Sequence, residues 1–187
     1  MASYPSSVYS PRTKENRDGV SYDAAKTKTL YAEDITKLDD EVVAVETDLL
    51  DIKPATPAND HTAKGIKIRL TAAVTVNFGD VGYINSSGKV ALGKGDAIAT
   101  SSCIVMCADS SITADAEGNF LLLGIARDDS WNWTVGGLIY LTITGTTGNT
   151  LTQTAPSATD NVIQIIGVAT HADRIFFNPN LAQVEHT

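Results

Sequence analysis

Residues 120–152 read FLLLGIARDDSWNWTVGGLIYLTITGTTGNTLT, and whether this stretch is strand or helix decides the fold. Its two apolar runs, 120–126 and 138–144, are short and broken by Gly, Ser and Asn. Runs of that length bounded by turn residues predict strands, because a helix needs about ten or more periodic positions. The second run is followed by the turn signal Gly145 to Asn149.

The same texture extends in both directions. IKIRL (66–70), AVTVNF (73–78), VGYI (81–84), KVAL (89–92), IVMCA (104–108), VIQIIGVA (162–169) and RIFFN (174–178) are further candidate strands. Turns are expected at Asn85 to Gly88 and at Glu117 to Asn119, and no window in this region has a helical period. Many short strands at such spacing predict a small all-β barrel or sandwich. Within it, GYINSSGKVALGKGDAIATSSCIVMCAD and IYLTITGTTGNTLTQTAPSATDNVIQIIGVAT form a faint internal repeat: a Tyr, a turn Gly, a Thr/Ala/Ser-rich link and a final apolar strand.

Upstream, the pattern changes. Ile35, Leu38, Val42, Val45, Leu49 and Ile52 are spaced 3, 4, 3, 4, 3, the a/d seam of a coiled coil, and Pro54 forbids continuation. A helix is predicted from about Ala32 to Ile52. Parallel self-assembly would set Asp34 against Asp39 and Glu41 against Glu46, both repulsive, and Asp48 against Lys53. Each exposed pair is worth about 0.3–0.5 kcal/mol, whereas burying each seam side chain gains about 1.5–3 kcal/mol. The seam therefore prevails, but at under three heptads it needs a second oligomerising element.

Residues 1–30 are rich in Ser, Tyr, Pro, Lys, Arg and Asn and have no sustained period, so they cannot fold alone. They read as an extended arm with anchor side chains at Tyr4, Tyr9, Val20 and Tyr22. The expected organisation is thus arm 1–30, helix 31–54, linker 55–65 and β domain 66–187.

Charge follows the same divisions. The arm carries five Lys/Arg against three Asp/Glu, residues 31–60 two against nine, and the remainder seven against ten, for a net formal charge of −8. An acidic chain is a poor nucleic-acid partner, because phosphate binding needs a basic surface. The chain has no apolar run of about 18 residues to span a bilayer, and its first residues lack the apolar core of a signal peptide. The expectation is synthesis in a cytoplasm, with no nucleic-acid or membrane partner.

Catalytic patterns are missing. Gly82 to Lys89 is G-x5-G-K followed by Val90, one residue and one hydroxyl away from a phosphate loop. His61, His171 and His186 have no Cys, Glu or His at ligand spacing. His171 and Asp173 could be a base with an orienting carboxylate, but no serine in a nucleophile elbow accompanies them. Asp128 and Asp129 lack a third oxygen ligand nearby in sequence. Cys103 and Cys107 read as two buried small apolar side chains. No enzyme activity, cofactor or metal is expected.

Residues 79–187 resemble the small β domain at the C-terminus of phage virion proteins: trimeric capsid decoration proteins, head fibres and some tail fibres. They are similar to the β-tulip, lambda-type decoration domain in GDVGY…GKV, Gly124-Ile125-Ala126, WNWTVGGLIYL, LTQTAPS, IIGVA and FNP. The stretch SPRTKENRDGVSYDAAKTKTLYAEDITKLDDEVVAVE also resembles N-terminal attachment segments of such proteins. The resemblance implies a mainly β homotrimer in the virion, with the seam at its trimer interface. It further implies that Tyr4, Tyr9, Arg12, Val20 and Tyr22 attach it to the major capsid protein or another virion protein, and that it sits on the capsid surface as a decoration or head-fibre protein. The alternative is a tail-fibre or baseplate receptor-binding protein; the short helix between arm and head favours the former. Trp131 and Trp133 then close a barrel end or a subunit seam, or form a ligand patch.

Overall fold

The computed structural model describes residues 38–47 and 56–186. The chain divides into two compact units, Met1–Lys53 and Pro54–Thr187. In the first, residues 38–47 form helix α1. Of the expected seam, Leu38, Val42 and Val45 lie in α1, and all three are exposed. Ile35, Leu49 and Ile52, like the arm 1–30 with Tyr4, Tyr9, Arg12, Val20 and Tyr22, lie outside the described residues.

The second unit is mainly β, with a nearly closed, barrel-like sheet. Its principal strands are β1 (Thr62–Thr71), β3 (Val81–Ile84), β4 (Val90–Leu92), β5 (Val105–Cys107), β7 (Glu117–Arg127), β8 (Leu138–Thr146), β9 (Asn149–Thr152), β11 (Ile165–His171) and β12 (Arg174–Phe177). Two small ribbons pair β2 (Val76–Asn77) with β6 (Ser111–Ile112), and β10 (Val162–Ile163) with β13 (Val184–Glu185). A single helical turn, α2 (Ile98–Ser101), interrupts the β structure.

The strand order β4-β3-β5-β7-β12-β11-β8-β9 has the same construction in each half. A hairpin (β3/β4 or β8/β9) is followed by a strand that pairs back onto its first member (β5 or β11). A fourth strand (β7 or β12) then pairs with that third one. The two fourth strands join the halves, with Ile175 opposite Ala126. The faint sequence repeat therefore corresponds to a repeated topology. β1 lies along the length of β7.

Alternation along these strands separates the faces. Ala63, Ala126, Ile175 and Ala169 form a paired row that is buried. They belong to a core with Val81, Met106, Leu121, Ile139, Leu141, Ile166 and Phe177. The next row, Ile125, Phe176, Val168 and Leu138, is on the outer face, since cross-strand partners share a side. A second core cluster, including Val76, Val90, Val105, Ile112 and Phe120, lies toward the β2/β6 ribbon.

Four expectations are corrected. The linker 55–65 is already strand from Thr62, because Gly65 and Gly124 let β1 and β7 approach closely. A Cβ on Gly65 would lie 2.1 Å from the Leu123 carbonyl oxygen. Glu117 to Asn119 is the start of β7, not a turn. Gly118 is required by the Ile112 side chain, which a Cβ would meet at 2.3 Å, while Asp115 at φ +65° makes the turn. AVTVNF contributes only Val76–Asn77 as strand. VIQIIGVA splits at Gln164, whose buried side chain accepts from the Cys103 N–H (3.0 Å) and donates to the carbonyls of Cys103 (2.8 Å) and Asn180 (2.8 Å).

Candidate functional site

The two tryptophans lie in the segment between β7 and β8. Its start is a turn in which the Asp128 carboxylate accepts from the Ser130 N–H (2.8 Å) and hydroxyl (2.6 Å), and Trp131 N–H donates to Asp128 O. Trp133 N–H then donates to Ala172 O and Gly136 N–H to Ala169 O, which tie the segment to β11 and the β11/β12 turn. Gly136, at φ +80°, makes the bend before β8. Gln153 holds the other side, accepting from the Thr134 N–H and donating to the Thr134 carbonyl, both at 2.8 Å.

This scaffold fixes a strip of four rings. His61 meets Phe78 edge-on with centroids 5.4 Å apart, Phe78 stacks with Trp131 at 6.3 Å, and Trp131 tilts against Trp133 at 5.7 Å. Gly79 permits the arrangement: at φ +82°, a Cβ there would lie 2.8 Å from Trp131 Cζ2. Phe78 is buried, whereas both tryptophans are half-buried and pack against the core from its edge. Their remaining surface lines a cleft of about 610 Å³, within the usual range of small-molecule sites. Trp133 Nε1 is buried without a hydrogen-bond partner among the described residues. The tryptophans thus pack against the core and also wall a cavity.

Asp80, buried, also lines the cleft. Its carboxylate accepts from the backbone N–H groups of Asn77 (2.9 Å) and Gly148 (2.9 Å) and from the Thr150 hydroxyl (3.4 Å), joining the β8/β9 hairpin to the segment after β2. Burial pushes this carboxyl above its ordinary range, and the three donors only partly oppose the shift.

At the rim, Asp60, His61 and Asp128 place ligand atoms within 4.8 Å of one another. His61 Nδ1 is 3.4 Å from Asp60 and Nε2 is 3.4 Å from Asp128. Sequence spacing gave no sign of this set, since Asp128 is far from His61 along the chain and only the β1/β7 pairing unites them. His61 takes a positive φ of 49°. The Asp60 carboxyl is held below its ordinary range, first by the N–H of Asp129 and further by the N–H and ring of His61, against the opposing effect of burial.

An ionic cluster adjoins this set through Asp129, whose N–H donates to Asp60 (2.8 Å). Asp173 is 2.6 Å from His171 Nδ1, 3.3 Å from Arg174 and 3.3 Å from Arg127, which also pairs with Asp129 at 2.7 Å. Burial pushes the Asp173 carboxyl up, but the His171 hydrogen bond and the neighbouring cations outweigh it and leave the group below its usual range. His171 thus has an orienting carboxylate, but no serine or cysteine among the described residues joins this cluster. Cys103 and Cys107 are buried free thiols, each pushed up to about 12 by burial.

No family model matches the chain, and no curated protein matches it in sequence. No helix among the described residues is long and apolar enough to cross a membrane.

Proposed function

We propose that the chain is a structural protein of a phage particle, a homotrimeric capsid decoration or head-fibre protein without catalytic activity. In this reading the β unit is a lambda-type, β-tulip-like decoration domain, and the arm 1–30 binds the major capsid protein or another virion protein. The protein then resides on the capsid surface, after synthesis in the host cytoplasm.

The observation that carries the reading is apolar surface that one chain leaves uncovered. On α1, Leu38, Val42 and Val45 are 60%, 40% and 65% exposed, although they are the seam. On the β unit, Leu138 and Phe176 in the outer row, with Ile66 opposite Leu123 alongside, are also exposed. Contiguous apolar faces of this kind mark association surfaces, because leaving them in water forgoes about 25 cal/mol per Å². A short seam needs a second oligomerising element, and the outer sheet face supplies one in the same chain. Trimerisation has a further consequence: three individually weak arms bind together, raising avidity by about 10² to 10⁴.

The test is co-sedimentation with particles lacking this protein, comparing the full chain with one beginning at Ala32. The shortened chain is expected to remain trimeric but to stay in the supernatant. Equal binding by both would overturn attachment through the arm, and binding by neither would overturn the virion role.

A further inference from the structure

We propose that the cleft beside Trp131 and Trp133 binds a neutral saccharide, an activity that goes beyond assembly and uses neither the arm nor the helix. The ring faces of a pyranose carry C–H groups that pack on flat aromatic carbon, while its hydroxyls require donors and acceptors around the edge. The cleft offers both. Its wall contains Trp131 and Trp133, rigid aromatic surfaces already fixed by backbone hydrogen bonds and therefore ordered before a ligand arrives. Asn132, between the two tryptophans, and Asn149 also line it, exposed residues whose amides have no hydrogen-bond partner among the described residues. An amide supplies a donor and an acceptor together, which matches a hydroxyl.

Charge discriminates among ligand classes. Among the described residues no Lys or Arg lines the cleft, so phosphates and acidic sugars find no counter-charge there. Two carboxylates do line it, but both are buried, and all their oxygens except Asp128 Oδ2, which lies 3.4 Å from His61 Nε2, accept hydrogen bonds within the protein. Asp80 accepts from Asn77, Gly148 and Thr150, and Asp128 accepts from Ser130 and faces His61. The exposed amides offered to a ligand are neutral, and a volume of about 610 Å³ accommodates more than one sugar ring.

The chain has only two tryptophans, both in the cleft, so their fluorescence reports on this site alone. The full chain is titrated with neutral trisaccharides of glucose, galactose and N-acetylglucosamine, and separately with choline and inorganic phosphate. A saturable change is expected with at least one trisaccharide, at concentrations where choline and phosphate give none. In the Asn132→Ala, Asn149→Ala double variant, which removes no internal hydrogen bond, affinity should fall about tenfold or more. No saturable change with any of the trisaccharides, a stronger response to choline or phosphate, or unaltered affinity in the double variant would each overturn the proposal. Because the variant retains the seam and arm, particle binding is expected to be unchanged, so this inference and the assembly reading fail separately.

Discussion

Replacing Gln164 with leucine should be among the most damaging single changes in the β unit. The side chain is fully buried between β10 and β11 and makes three hydrogen bonds across to Cys103, just ahead of β5, and to Asn180. It therefore bridges the two repeated halves where no strand ladder joins them. Leucine has nearly the same volume but leaves the Cys103 and Asn180 carbonyls unpaired and takes one of two acceptors from the Cys103 N–H, which keeps its bond to the Ser101 carbonyl (2.8 Å). At about 1–3 kcal/mol for each stranded carbonyl and about 0.5–1.5 kcal/mol for the lost bond to the N–H, with partial relaxation, the gross loss is about 3–6 kcal/mol. Better burial of an apolar side chain returns about 1–2 kcal/mol. The net cost of about 2–4 kcal/mol is a large share of the roughly 5–15 kcal/mol expected for a domain. Urea unfolding followed by tryptophan fluorescence measures it. Gln164→Glu keeps the acceptor but buries a carboxyl that must hold its proton, so that variant should gain stability as pH falls. A loss under about 1 kcal/mol for the leucine variant would show that the amide is not a structural bridge.

Gly79→Ala should cost more than Gly88→Ala. Both glycines have positive φ, worth about 1–2 kcal/mol, but only Gly79 abuts Trp131, so only that variant should shift the fluorescence maximum. Asp80→Asn replaces an all-acceptor group facing three donors with one that must turn an NH₂ toward them, and should lower stability by about 1–3 kcal/mol in urea unfolding. Asp173 has a folded pKa below its unfolded value, so its contribution is present above the usual Asp range and disappears as pH falls through the folded pKa. The stability gap between the parent and Asp173→Asn should accordingly hold steady above about pH 5 and shrink as pH falls below about 4. Both cysteines should resist alkylation in the native protein at about pH 8 and react only on unfolding.

The β character was legible because apolar runs of strand length punctuated by turn residues leave little choice: VGYI, KVAL, IVMCA and FLLLGIA all lie on or within a residue or two of the observed strands. Glycine was the weak point. Gly65 and Gly118 read as linker and turn signals and Gly124 as part of a strand, yet each serves a close approach within or between strands that depends on a partner distant in sequence. Gln164 hid for a similar reason, since a polar residue inside an apolar run does not reveal that its bonds run to Cys103. The tryptophan pair was visible as a cluster, but the cleft was not. His61, Phe78, Asp80 and Asp128 join it only through the fold, and three of them sit outside the segment that contains the pair.

The central claim is that apolar surface uncovered on one chain is covered by two others. Sedimentation equilibrium of the full chain and of Val42→Asp, Val45→Asp tests it most directly. The account predicts a mass of three 19.8 kDa chains for the parent and dissociation of the variant on dilution, with the circular dichroism of the β unit retained. A parent that sediments as a single chain, or a variant that stays fully trimeric at every concentration, would contradict it.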